Sequence, residues 1–275
     1  MRDEWGRATG PLRVLPDALV IGAMRAGTSS MYRYLGRHPQ VLPAARKEIE
    51  YLGFRHDRGE RWYRGHFPTR LRATRHRARH GQFLTFDASP SSMPHPRAAA
   101  RARALLPDAR LVAILRDPVE RAWSHYRHLR RLGIEHDPFE VALRREEELL
   151  PGGVETLDTA DGDTWSRLVG RNAYIGLGRY ADQLARWRAA YPSDRLLVVF
   201  AEDLFADPAA VYARVVGFLG LDPWLPERFL NWSYREAPPS SEPLDPVVRE
   251  RLRDRFAEDD RRLADLLGEP PPWRR

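Results

Sequence analysis

Along the chain, short runs of unbroken apolar residues alternate with longer stretches in which apolar positions recur every three or four residues. Ala18–Gly22 (ALVIG), Arg110–Leu115 (RLVAIL) and Arg195–Phe200 (RLLVVF) are runs of the first kind. Continuous apolar strands of this type belong to parallel sheets covered on both faces. Gln82–Ala88 (QFLTFDA) alternates and predicts a further strand. Helical spacing begins at Thr28, with Met31, Tyr32 and Leu35 on one face, and stops at His38-Pro39. Arg97–Leu106, Pro118–Leu132, His136–Leu150, Tyr180–Tyr191, Asp207–Leu219 and Val247–Leu267 are the other predicted helices. In the last of these, Leu252, Phe256, Leu263 and either Leu266 or Leu267 form the expected buried side.

Pro151–Gly170 is polar and contains Asp158, Asp161 and Asp163, which predicts a mobile loop. Asn231–Pro246, rich in proline and serine, is expected to be irregular. Strands alternating with helices predict an α/β fold with right-handed crossovers. Ligands in such folds bind beyond the carboxyl ends of the strands. A single domain spanning 1–275 is expected, with residues 1–16 a flexible or loosely packed arm.

Composition narrows the chemistry. The chain has no cysteine, which excludes a disulfide framework, a thiolate zinc site and a cysteine nucleophile. Nor do the nine histidines fall into a convincing metal-ligand spacing: His76 and His80 are i, i+4, but no carboxylate accompanies them. No metal site is therefore expected. Residues 1–16 lack the apolar stretch of about 7–15 residues that a secretory signal needs. No run approaches the roughly 20 apolar residues of a membrane span. The expectation is a soluble cytoplasmic protein.

Lys plus Arg is 45 and Asp plus Glu is 38, giving a net charge of +7. The strongest basic cluster, Arg70–His80 (RLRATRHRARH), contains no aromatic residue on which bases could stack. It reads as a solvated basic helix face, or as a surface that gathers an acidic substrate. No specific nucleic-acid partner is expected.

Three stretches carry chemistry. The first is Val20–Leu35 (VIGAMRAGTSSMYRYL), a strand, a glycine loop and a helix. Such a loop aims backbone N–H groups at an anion, and the hydroxyls of Thr28, Ser29 and Ser30 can add to them. A simple tight turn with a hydroxyl cap is the plainer alternative. Gly22 and Gly27 fit the spacing of a nucleotide-binding P-loop, but Thr28 stands where that loop has lysine, and the cation is Arg25. This speaks against a kinase or NTPase. The second stretch is Arg110–Leu129, in which Arg116 ends a strand and Ser124 follows eight residues later. An arginine fork with a hydroxyl can grip a phosphate monoester. The alternative is a surface Arg116–Asp117 pair. The third is Lys47–Leu52 (KEIEYL), where Glu48 is either a candidate general base or half of an exposed Lys47–Glu48 pair.

Together these stretches resemble the sulfotransferase superfamily that uses 3′-phosphoadenosine-5′-phosphosulfate, most closely its heparan-sulfate O-sulfotransferase and bacterial carbohydrate or natural-product branch. The resemblance runs from about Leu19 to Leu267. It implies a P-loop-like central parallel sheet with helices on both faces. It also implies sulfonate transfer by in-line displacement to a hydroxyl, or less readily an amine, of a carbohydrate or small molecule. By the resemblance Arg25, Ala26, Gly27, Thr28, Ser29 and Ser30 bind the donor, with Arg25 in place of the usual lysine. Arg116 and Ser124 then hold the 3′-phosphate, and Glu48 is the catalytic base with its carboxylate facing the same cleft as Arg25 and not bulk solvent. Lys47, Asp87 and Ser89 fall near the acceptor, Ala88 replaces a lysine, and Glu50 stands where that branch often has histidine. Arg235 or Arg249 is a candidate for the adenosine loop, which has no evident counterpart. His125 and His128 are expected at the surface or near a phosphate. A nucleotide-binding module of the same fold without catalysis is the remaining alternative.

Overall fold

The computed structural model describes residues 2–157, 162–230 and 243–275. In chain order the helices are α1 (Arg2–Thr9), α2 (Thr28–Leu35), α3 (Glu60–Arg64), α4 (Arg70–His80), α5 (Ala98–Leu105), α6 (Pro118–Arg131) and α7 (Phe139–Leu149). They continue with α8 (Gly162–Asn172), α9 (Tyr180–Ala190), α10 (Ala201–Ala206), α11 (Pro208–Phe218) and α12 (Pro246–Leu267). The strands are β1 (Ala18–Gly22), β2 (Phe86–Ala88), β3 (Arg110–Leu115) and β4 (Leu196–Phe200).

The strands form one parallel sheet in the order β2-β1-β3-β4. Every residue of β1 and nearly every residue of β3 is buried, as continuous apolar strands require when helices cover both faces. The main core gathers around this sheet. A second cluster joins α6, α7 and α12 through Val119, Phe139, Tyr174, Leu252 and Phe256. A third holds Trp165 and Val169 of α8 with Leu150 and Val154, against Met24 and Phe54.

Several expectations need correction. The stretch 151–170 is not a loop throughout: Val154–Leu157 is a 3-10 turn and α8 occupies Gly162–Asn172. Trp165 and Val169, at i and i+4, supply a buried stripe that the surrounding polar residues hid. Asp158 and Asp161 lie outside the described residues, as do Arg235 and residues 231–242. The N-terminal arm is helical in α1 and packs on α3, because two glycines let the backbones meet. A Cβ on Gly65 would come within 2.7 Å of Gly6. Strand β2 is shorter than the alternation suggested, since Leu84 bridges Val41 instead. Asp207 caps the break between α10 and α11 by accepting from Ala210 N–H.

The basic helix α4 buries only Ala73 and is a solvated face. In α12 the predicted side is buried at Leu252, Phe256 and Leu263. Among the described residues no helix is long and apolar enough to cross a membrane.

Candidate active site

Because the sheet is parallel, all four strands end at one edge, and the candidate residues lie beyond those ends. Strand β1 runs into Ala23–Gly27 and then α2. At Gly22 a Cβ would lie 2.7 Å from Met93 Cβ, so the strand must end in glycine. Gly27 caps α2 at φ +93°, where a side chain would be strained and would meet Leu204 at 3.1 Å. The loop is pinned by Ala23 N–H to Ile114 O at 2.7 Å and Ala26 N–H to Ala23 O at 3.3 Å. Thr28 is buried in the first turn and Ser29 is partly exposed. Ser30 is buried, beside the Tyr34 hydroxyl.

The first two motifs converge. Arg25 Nε donates to Ser124 Oγ at 3.4 Å. Arg116 Nη1 donates to Arg25 O at 3.1 Å. Arg116 is held at its own carbonyl by the Tyr180 hydroxyl at 2.8 Å. Its guanidinium lies 3.9 Å from Glu120, which also pairs with Arg249 at 2.5 Å. Arg249 therefore stands one carboxylate away from Arg116. Asp117, offered as a surface partner of Arg116, instead caps α6 by accepting from Val119 N–H at 2.8 Å, and burial pushes its carboxyl up. His125 is not at the surface: it is buried, bonds Gly170 O at 3.0 Å, and burial next to Arg121 lowers it to about 3.

The third motif docks on the end of β2. Glu48 N–H donates to Ala88 O at 3.0 Å, and Glu50 N–H to Ser89 Oγ at 3.0 Å. Among the described residues the non-glycine residues with positive φ are Arg25, Glu48 and Glu50, at +68°, +62° and +65°. Backbone strain of this kind concentrates at functional sites. The Glu48 side chain is 53% exposed and paired with Lys47, so its carboxylate faces solvent, contrary to the enclosed position expected of it. The pairing offered as the alternative to a catalytic role is thus present, and the carboxylate remains open to an incoming acceptor.

Glu50 and Asp87 are the enclosed carboxyls. Ser91 Oγ donates to Glu50, and burial, then the charges of Glu48 and Asp87, hold the Glu50 carboxyl well above the usual range. Asp87 accepts from Ser89 Oγ at 2.8 Å and from the Tyr63 hydroxyl at 3.1 Å. Burial raises it to about 6, opposed by those bonds and the nearby Lys47. Asp87 and Ser89, placed near the acceptor from the sequence, are therefore buried framework beneath the Glu48–Glu50 turn. Tyr63 escaped the sequence reading. Its signal was the apolar spacing of Trp62, Tyr63 and Phe67, all buried. A second signal lay in composition: Lys47 is the sole lysine among 45 cationic residues. Among the described residues no group of three or more metal-ligating side chains is assembled.

Residues 15–235 match the sulfotransferase domain family. Over 242 residues the chain is 30% identical to a mouse bifunctional heparan sulfate N-deacetylase/N-sulfotransferase 4, covering 86% of this chain and 25% of that protein. Over 215 residues it is 32% identical to mouse heparan sulfate glucosamine 3-O-sulfotransferase 6, covering 78% and 55%. The chain thus spans from a quarter to about half the length of these curated relatives. A sulfotransferase from Alicyclobacillus acidocaldarius superposes with a TM-score of 0.71 at 27% identity, covering 95% of this chain and all of that one. With a family match over most of its length, and Arg25, Arg116 and Ser124 converging at the glycine loop after β1, this chain belongs to the sulfotransferase domain family.

Proposed function

We propose that this domain transfers a sulfonate group from 3′-phosphoadenosine-5′-phosphosulfate to a hydroxyl of a carbohydrate or small-molecule acceptor. The observation that carries this reading is the convergence of Arg25, Arg116 and Ser124 beside the loop after β1. The residues present fit the donor. Loop amides and the hydroxyls of Thr28 and Ser29 at the start of α2 suit its 5′ phosphate, as helix N-termini suit anions. Arg116 and Ser124 suit the 3′-phosphate. When bound, the donor supplies an activated sulfonate on a phosphate leaving group.

The chain's own groups then divide the work. Glu48 takes the acceptor's proton, and its exposure leaves room for an acceptor to approach. Lys47 holds that carboxylate in place. Arg25 and the loop amides stabilise negative charge on the departing phosphate, the kind of electrostatic contribution that dominates many enzymes. An amine is the second acceptor reading, since relatives named for N- and for 3-O-sulfotransfer both match.

The test is a thermal-shift series followed by a transfer assay with labelled donor and an acceptor panel. Adenosine 3′,5′-bisphosphate should raise Tm more than AMP or ATP, since a ligand at about 100 times its Kd contributes about 2.7 kcal/mol. Equal shifts with ATP and the bisphosphate would remove the reading.

A further inference from the structure

Helix α4 carries five arginines, two histidines and no carboxylate in its 11 residues. Arg72 and Arg75 stand at i, i+3 and Arg75 and Arg79 at i, i+4, where like charges destabilise a helix. Arg70 and Arg72 lie in the first turn, at the positive end of the helix dipole. Burial, then the neighbouring His80, Arg72 and Arg79, push the His76 imidazole below its ordinary value. Arg77 has Asp17 nearby. Among the described residues Arg70, Arg72, Arg75 and Arg79 pair with no carboxylate. Helix α12 is different, since each of its arginines has an acidic partner. The repulsion within α4 is therefore left for an external anion to relieve.

The outward side of α4 is not purely charged. At 3.6 residues per turn, the direction opposite buried Ala73 falls between Leu71 and Arg75. Arg72 and Arg79 flank that direction on one side and Arg70 on the other. Leu71 is 61% exposed, and Leu12 is 65% exposed. Arg13 bridges Thr69 in antiparallel sense, which sets Leu12 beside the start of α4. Arg13 and Asp17 both precede β1, so α4 lies toward the amino ends of the strands, away from the candidate site at their carboxyl ends.

We propose that α4, together with Leu12, docks the domain on the surface of an anionic phospholipid bilayer. Guanidinium groups pair with lipid phosphates, and the two leucines enter the boundary between headgroups and acyl chains. A soluble polyanion would satisfy the arginines and leave both leucines in water, which is why the lipid surface fits better. The domain lies on the bilayer, with the candidate site opening away from it. The proposal does not depend on the donor assignment.

The test is flotation with vesicles of phosphatidylcholine alone and of equal parts phosphatidylcholine and phosphatidylglycerol, with heparin as a soluble polyanion. Wild-type protein should float with the anionic vesicles only and be released by high salt. Arg75→Gln with Arg79→Gln should weaken vesicle binding about 30-fold. Leu12→Ser with Leu71→Ser should weaken vesicle binding and leave heparin binding unchanged. All four side chains are exposed, so thermal melts of both variants should match or exceed the wild type.

Equal flotation with neutral and anionic vesicles, or none with either, would overturn the proposal. So would heparin binding that follows the arginines without vesicle binding, since α4 would then serve a soluble polyanion. Unchanged vesicle affinity in the leucine variant would overturn it as well.

Discussion

The side chain of Arg25 reaches Ser124, with Nε 3.4 Å from Oγ across 99 residues of sequence. This contact closes the loop after β1 onto the second turn of α6, and the Arg116 bond to Arg25 O reinforces it. Three side chains thus converge at the loop after β1, where the proposed function puts the donor.

Ser124→Ala tests that convergence. The hydroxyl is assigned to the 3′-phosphate alone, so the variant should lose about tenfold in affinity for adenosine 3′,5′-bisphosphate, the scale of one hydrogen bond to a charged group. Affinity for AMP should stay level. A matched loss for both ligands, read by titration calorimetry, would place Ser124 elsewhere.

Arg25→Ala should lower both nucleotide affinity and turnover, the latter by about 10²–10³, as loss of a preorganised donor does. Arg25→Lys keeps the charge and gives up the fork that touches Ser124, and the two cations differ in geometry. Since the resembled enzymes use lysine here, Arg25→Lys should preserve or raise turnover in a steady-state assay. Abolished activity would mean that the fork itself is required.

The sheet was legible in the sequence because buried parallel strands are continuously apolar, and β1, β3 and β4 fall where the runs are. The glycine loop after β1 and the approach of Arg116 and Ser124 to it were legible because glycine, hydroxyl and arginine positions are fixed by backbone geometry. Burial of single polar residues was not. Glu146 stands in a charged helix, yet its carboxylate accepts from Tyr174, Ile175 and Gly176 N–H at 2.7–2.8 Å. Glu50 reads as a charge next to Glu48, and only the fold shows that Ser89 and Ser91 draw it inside. Helix α8 was hidden because two buried residues sufficed to seat it in a polar segment.

Glu48→Gln keeps size and hydrogen-bonding reach but cannot take a proton. Turnover should fall by about 10²–10⁴, with little change in bisphosphate affinity. Lys47→Met should lower kcat more than it changes donor KM, because the ammonium acts through Glu48, and Lys47→Arg should recover part of the rate. Near-normal turnover in Glu48→Gln would move the proton to another group.

Asp87 couples the site to folding stability. Its carboxyl is raised from 3.8 to about 6 in the folded protein, chiefly by burial. Between those values the folded chain holds a proton that the unfolded chain releases, so unfolding free energy falls as pH rises. The contribution is complete below pH about 4 and lost as pH climbs through about 6, on the order of 3 kcal/mol for a shift of about two units. Glu50 acts with the same sign, since its carboxyl is also raised. Asp87→Asn is neutral at every pH and keeps an oxygen to accept from Ser89 or Tyr63. Urea unfolding of variant and wild type from pH 4 to 7 should show their stability difference moving in favour of the variant by about that amount. A difference independent of pH would mean that Asp87 is already ionised when folded, with Lys47 and its two hydroxyl partners outweighing burial.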